Sequence, residues 1–327
     1  MAISYEKKIY ETLKGHLTSF LSQKRALGYK YTSEENDLNA FIKFVAVKEP
    51  TNNYLTKILV ETYCERHVNE TDKSVYNRVC DVRQFTKYLN QNGFEAYIPR
   101  LPKLKRSSFT PYIFTHEEMG RIFIAVDSIK PDKRYNCSEV YPVLFRMLYS
   151  CGLRVSEALN LLVSDVDLSS GALLIRAGKF KKTRLVPMPD SLIAICADLV
   201  KMIHTDSNGD DFFFKNRDGT QRSKKTVAER FRMLLWESGI PYKGKGYGPR
   251  LHDVRHTYCC HAMKQMADAG LDLYYALPIL STFVGHTSID ATEKYIRLTK
   301  EFYPDILSQM HSLGTRVYPE VYYDETN

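Results

Sequence analysis

Apolar residues in the first hundred positions recur three or four apart, the spacing that gathers side chains on one face of an α-helix. Tyr10, Leu13, Leu17 and Phe20 make one such stripe. Thr32-Ser33-Glu34-Glu35 reads as a capping box ahead of Leu38, Phe41, Ile42 and Val45, and Glu49-Pro50 closes that helix. A third helix is predicted from about Tyr54 to His67, and a fourth through Val75, Val79, Val82, Phe85 and Leu89 to a stop at Gly93. Periodicity then ends in Ile98–Ser108, where two prolines and four basic residues read as a linker.

A second unit opens with another capping box, Thr115-His116-Glu117-Glu118, and is helical for most of its length. Ala172–Arg176 and Arg184–Pro187 are strand-like runs flanking Gly178-Lys179-Phe180-Lys181-Lys182, a pattern that predicts a hairpin with a basic tip. Phe212-Phe213-Phe214 adds a further strand candidate. Helices are predicted again at about 225–238, 251–269, 273–283, 290–298 and 302–313. The fold class is therefore mainly α. A helical domain over 1–101 and a basic linker over 102–110 lead to a mixed, mostly helical domain with a small β-sheet over 111–327.

Length and composition sharpen this picture. At 327 residues, 44% hydrophobic and 26% charged, the chain resembles an ordinary globular protein, without an apolar run long enough for a membrane span or a signal peptide. Seven cysteines without framework spacing fit a reducing cytoplasm better than a disulfide scaffold. The net charge is +8, and residues 1–108 hold 18 Lys and Arg against 12 Asp and Glu, so the first third carries +6 of it. Basic and aromatic residues interleave there, as in Lys24, Arg25, Tyr29, Lys30 and Tyr31, a mixture suited to a phosphate backbone with nearby bases. The linker cations Lys103, Lys105 and Arg106 are placed to follow a polyanion.

Several chemistries drop out. The run Lys243–Gly248 precedes Pro249-Arg250 rather than a Lys-Ser/Thr pair opening a helix, so it is no phosphate-binding loop. His252 and His256 share a helical face, with Cys259, Cys260 and His261 beyond, but Arg255 stands on the same face and disfavours a dication. That cationic face suits a phosphodiester instead, because His252 and Arg255 at i and i+3 reach one anion together. Arg154 follows the break at Gly152, and Glu157 lies one turn on, where it orients a positive partner.

Taken in order, Gly152-Leu-Arg154-Val-Ser-Glu157, Gly178-Lys179-x-x-Lys182-x-Arg184-Leu-Val-Pro, Leu251-His252-Asp-x-Arg255-His256-Thr and Leu280-x-x-x-x-Gly285-His286 leading to Tyr295 closely resemble the tyrosine recombinase family, the phage integrase, Cre and Xer group. The likeness covers about residues 110–300, and Phe180 and Val284 are small departures from it. It implies a two-domain clamp on double-stranded DNA and strand cleavage through a 3′-phosphotyrosine, with neither metal nor nucleotide cofactor. Tyr295 would be the nucleophile and His252 its general base. Arg154 and Arg255 would stabilise the phosphate, Lys179 would protonate the leaving oxygen, His286 would hydrogen-bond the phosphate, and Glu157 would position the cations. Lys181 and Lys182 would contact DNA, or compete with Lys179 for its role.

The same resemblance implies inverted-repeat half-sites, a dimer on one site and a tetramer in the synapse, and it leaves open whether an accessory directionality protein takes part. It implies a cytoplasmic, nucleoid-associated protein from a mobile element. Type IB topoisomerase-like relaxation and a catalytically inactive regulator of recombination are the competing functions. Phe302, Ile306, Leu307, Met310 and Leu313 form an apolar stripe that would dock on a neighbouring protomer or fold back on its own domain.

Overall fold

The structure is a computed structural model that describes residues 2–49, 53–104, 110–176, 183–242, 244 and 248–285. The chain divides into two compact units, Met1–Phe109 and Thr110–Asn327. The first consists of α1 (Ala2–Ala26), α2 (Thr32–Lys48), α3 (Lys57–Cys64) and α4 (Asp72–Gln91). Leu13, Leu17 and Phe20 of α1 pack on Leu38, Phe41 and Ile42 of α2, Leu59 and Val60 of α3, and Val82, Phe85 and Leu89 of α4. Thr56 and Thr71 cap α3 and α4 through their hydroxyls. Buried Arg78 ties α4 to the end of α3, pairing with Glu70 at 2.7 Å and donating to the Glu65 carbonyl at 2.8 Å.

Two expectations for this unit are corrected. No capping box forms at Thr32: the residue before α2 is Tyr31 in the left-handed region at φ 47°, without a side-chain cap. Its hydroxyl donates to Gln84 at 2.9 Å and its ring meets Phe20 edge-on, so packing rather than a local cap sets the start of the helix. The third helix is shorter than the span 54–67, because Leu55 forms a parallel bridge to Ala96.

In the second unit the Thr115 capping box is present at the start of α5 (His116–Asp127). Next come α6 (Cys137–Ser150), α7 (Val155–Leu159), β1 (Val166–Asp167), β2 (Ala172–Ile175) and β3 (Arg184–Pro187). After them follow α8 (Asp190–Ile203), α9 (Lys224–Glu237), α10 (Asp253–Asp268) and α11 (Leu273–Val284). The three strands form an antiparallel sheet in the order β1-β2-β3, with Leu173 opposite Val186 and Ile175 opposite Arg184. Leu173, Ile175 and Val186 turn inward onto a core shared with Phe145 and Leu148 of α6, Cys196 of α8 and Phe231 of α9. A second cluster joins Cys259, Cys260 and Met263 of α10 to Leu277, Leu280 and Val284 of α11. The strand expected at Phe212–Phe214 is replaced by an isolated bridge between Leu162 and Phe212. Phe213 and Phe214 are both buried, which the alternation of a half-buried strand does not allow.

Among the described residues no helix is long and apolar enough to cross a membrane. The helices expected at 290–298 and 302–313, the tip of the predicted hairpin, and the apolar stripe from Phe302 to Leu313 lie outside the described residues.

Candidate functional site

The site grows from a glycine. Gly152, between α6 and α7, has φ +56°, and a Cβ there would come within 2.3 Å of the Tyr258 ring, so a side chain is excluded on both counts. The chain can therefore turn sharply into α7 with Arg154 as its N-cap. Glu157, three residues on, reaches back to accept from the Arg154 backbone N–H at 2.9 Å and from the Arg154 guanidinium at 2.7 Å.

Arg184, the first residue of β3, approaches the same carboxylate from the sheet. Its Nη1 and Nη2 donate to Oε1 and Oε2 of Glu157 at 3.2 and 2.9 Å, and its Nε donates to the Phe283 carbonyl at 2.9 Å. Arg255, in the first turn of α10, stands beneath. Its Nη1 donates to the Gly152 carbonyl at 2.7 Å, its Nη2 to the Val284 carbonyl at 2.6 Å, and Nη1 lies 3.7 Å from Glu157. Arg154 completes the ring with a 3.2 Å bond to the Gly285 carbonyl. Among the described residues, three guanidiniums thus surround one carboxylate, and the cluster carries a net charge of +2.

The arrangement governs protonation. Burial alone would raise the Glu157 carboxyl above its ordinary range, but hydrogen bonds from Arg184 and from the backbone and side chain of Arg154 bring it down to about 2. Glu157 is ionised at any physiological pH. The arginines differ in access: the Arg255 side chain is 2% exposed, that of Arg184 13% and that of Arg154 28%, so Arg154 offers the most open face to a ligand.

His252 immediately precedes α10, at a turn held by buried Asp253, which accepts from the Arg250 backbone at 2.8 Å and its guanidinium at 3.0 Å. Its ring meets His256 edge-on at 4.8 Å. Although part of the residue faces solvent, the protein packed around the imidazole disfavours the cation, and His256 and Arg255 add to the effect, pushing its pKa down to about 4. At neutral pH the imidazole is uncharged.

The described structure therefore brings Arg154, Glu157 and Arg255 together, with His252 at the start of the same helix as Arg255. Lys103 lies in an exposed, irregular stretch of the first unit. Lys105, Arg106, Lys179, Lys181, Lys182, His286 and Tyr295 fall outside the described residues. Arg184 was not among the expected site residues. Its sequence signal is an arginine opening a short strand after a basic tip, which the hairpin alone explains. Val284 departs from leucine only in its side chain, while its contact with Arg255 runs through the carbonyl, so that departure leaves the site intact. Among the described residues no group of three or more His, Cys, Asp or Glu side chains converges to hold a metal ion.

Comparison with known proteins agrees with this geometry. The phage integrase family matches residues 112–301. A Sinorhizobium fredii protein named, provisionally, integrase/recombinase y4rB is 27% identical over 312 residues, covering 91% of this chain and 97% of its own. The tyrosine recombinase XerC of Oceanobacillus iheyensis is 24% identical over 304 residues, covering 88% of this chain and 92% of its own. Among solved structures, a lambda integrase tetramer bound to a Holliday junction superposes with a TM-score of 0.58 at 16% identity, over 84% of this chain and 77% of that one.

Proposed function

The chain belongs to the phage integrase family, and from that membership we propose how its residues carry out the strand transfer of a tyrosine-type site-specific recombinase. The Tyr295 hydroxyl attacks a DNA phosphorus and the P–O bond to the 5′ oxygen breaks. A 3′-phosphotyrosyl enzyme and a free 5′-hydroxyl result. A partner strand's 5′-hydroxyl then reverses the step, so the phosphoester bond is conserved and no nucleotide is consumed. A phenol of ordinary pKa near 10 needs a proton acceptor at neutral pH, and His252, uncharged there and one turn from Arg255, takes that role. Lys179 delivers a proton to the leaving 5′ oxygen. His286 hydrogen-bonds a phosphate oxygen.

The observation that carries the mechanism is the +2 cluster around Glu157. Charge accumulates on the non-bridging oxygens as the tyrosine adds, and preorganised guanidiniums from Arg154 and Arg255 offset it without reorganising at that moment. Glu157 keeps the two arginines in place and remains ionised while doing so. Lys103, Lys105 and Arg106 follow the backbone near the linker, and Lys181 and Lys182 contact it from the hairpin. The DNA is double-stranded with inverted half-sites. It is bound by a dimer at one site and by a tetramer in the synapse, on the nucleoid of the cytoplasm, with a mobile element as the source and a directionality protein as a further partner. The tetramer is supported by the fold shared with lambda integrase, whose structure is a tetramer bound to a Holliday junction.

A nicked suicide duplex carrying the element's end sequence tests the mechanism. The native enzyme leaves a covalent adduct that persists through denaturation, and Tyr295→Phe binds the duplex but leaves none. An adduct formed by that variant moves the nucleophile elsewhere, Tyr274 and Tyr275 being the nearest alternatives. Binding without any native adduct makes the protein a regulator rather than an enzyme.

A further inference from the structure

Arg184 enters the mechanism above only through the charge of the cluster, yet it joins three of its blocks. It opens β3, the strand that follows the segment bearing Lys179. Its fork grips both oxygens of Glu157, 27 positions earlier in the chain, and its Nε holds the Phe283 carbonyl, 99 positions later. Gly285 lies directly against it: a Cβ there would sit 2.8 Å from Nη1 and 3.0 Å from Cζ of Arg184, at a backbone φ of +67°. The carbonyl of that glycine accepts from Arg154, and the next residue in the chain is His286.

We infer that Arg184 is a positioning residue for strand cleavage: by clamping Glu157 and the turn at 283–285 it fixes the Arg154 guanidinium against the reacting phosphate. The inference rests on the recombinase mechanism. The chemistry favours arginine over lysine in this place, because only a planar fork satisfies a carboxylate with two parallel bonds while a third donor reaches a carbonyl behind it. Arg184 itself is assigned no phosphate contact, because all three of its nitrogens already bond Phe283 and Glu157. Removing it leaves Glu157 buried with a single close guanidinium bond, from Arg154. The carboxylate is then drawn wholly onto Arg154, and the turn that carries the Gly285 carbonyl loses its anchor.

Single-turnover cleavage of the suicide duplex by Arg184→Lys and Arg184→Gln tests this, beside melting curves and half-site titrations. The expected result is a fall of about a hundredfold in cleavage rate with half-saturating DNA changed less than about threefold, Lys recovering little because it lacks the fork. A 5′-bridging phosphorothiolate, whose sulfur leaves without a proton, should not restore the rate, because the defect lies with the arginines and not with the Lys179 proton. Arg184→Gln should also gain an acid limb in its rate profile above that of the native enzyme, since Glu157 then protonates more readily. Gly285→Ala supplies the second perturbation. It should slow cleavage in the native background and cost less when combined with Arg184→Ala, where the colliding guanidinium is gone.

Native cleavage by Arg184→Lys, thiolate rescue, or additive behaviour of the Gly285 and Arg184 variants would each overturn the inference. So would a loss of melting temperature that accounts for the whole loss of rate. Native capture measured alongside separates the levels: its absence refutes the mechanism and this role together, whereas normal native capture with an unimpaired Arg184→Lys refutes only the role of Arg184.

Discussion

Replacing Glu157 with glutamine keeps the shape of the side chain and removes the charge on which three guanidiniums converge. The native carboxyl falls from an ordinary 4.5 to about 2 on folding, burial being outweighed by the bonds from Arg184 and Arg154. At about 1.4 kcal/mol per pH unit this contributes about 3 kcal/mol to stability at pH 7. A depressed carboxylate stabilises fully above the unfolded value, so the contribution is intact at pH 5 and is lost as the pH falls through 4.5 toward 2. Breaking a buried ion pair by removing one partner costs about 3–5 kcal/mol in general, which agrees with that figure. Glutamine also turns an N–H₂ group toward donors it cannot bond. Glu157→Gln should therefore lower the unfolding free energy by about 3 kcal/mol at pH 7, or the melting temperature by roughly 6–12 °C for a unit of this size. Urea titrations followed by circular dichroism at pH 7, 5 and 3 would measure it. The gap between native protein and variant should hold from pH 7 to pH 5 and shrink by about half or more at pH 3. A gap below about 1 kcal/mol at pH 7, or one independent of pH, would show that the carboxylate is not the hub of the cluster.

Three further outcomes follow from the same contacts. Arg154→Ala and Arg255→Ala should each slow single-turnover cleavage by at least about 10²–10³, with half-site binding far less affected; a change under about tenfold in cleavage would remove that arginine from the phosphate. His261, buried on α10 where its ring stacks on His116 at 4.0 Å and Tyr149 bonds its Nδ1 at 2.7 Å, has its pKa pushed down to about 4 by burial and by His116, against a hydrogen bond to the Phe114 backbone. Below pH 6.5 the unfolded imidazole takes up a proton that the folded one resists, a loss of stability that reaches about 3 kcal/mol by pH 4, so His261→Gln should flatten the decline of melting temperature between pH 7 and 4.5, and an unchanged slope would refute the assignment. Truncation before Phe302 should leave binding to one half-site nearly unchanged while weakening cooperative occupancy of two; gel shifts showing equal loss on both, with a lower melting temperature, would place the apolar stripe in the protein's own core.

Much of this architecture was legible in the chain because it depends on local rules. The stripes from Tyr10 to Phe20 and from Val75 to Leu89 needed only helical spacing, and the Thr115 capping box needed only four adjacent residues. The Thr32 box met the same local rule and failed, since Tyr31 gained more from Gln84 and Phe20 than a cap would supply. Phe212–Phe214 misled for a related reason: three adjacent aromatics satisfy a strand's composition, while the structure buries two neighbours and pairs only one position. Arg154, Glu157 and Arg255 could be named because the order of four motifs carries a family resemblance. Arg184 could not be assigned a role, because its partners stand 27 and 99 residues away and no local pattern announces them.

The distribution of charge explains why one glutamate belongs among cations that, on the proposed mechanism, hold an anion. Unpaired guanidiniums this close would repel one another, and in a partly buried setting each pair costs on the order of several kcal/mol. A single carboxylate relieves that repulsion without cancelling it. The pairings also set a gradient of exposure, from Arg255 at 2% through Arg184 at 13% to Arg154, which retains the open face. Two carboxylates would bring the cluster to +1 and weaken it against a phosphate whose charge grows during attack. With no carboxylate, the arginines would separate and have to be reassembled by the DNA, at a cost in every turnover. On the proposed mechanism, a net +2 assembled before DNA arrives stabilises the transition state more than the ground state.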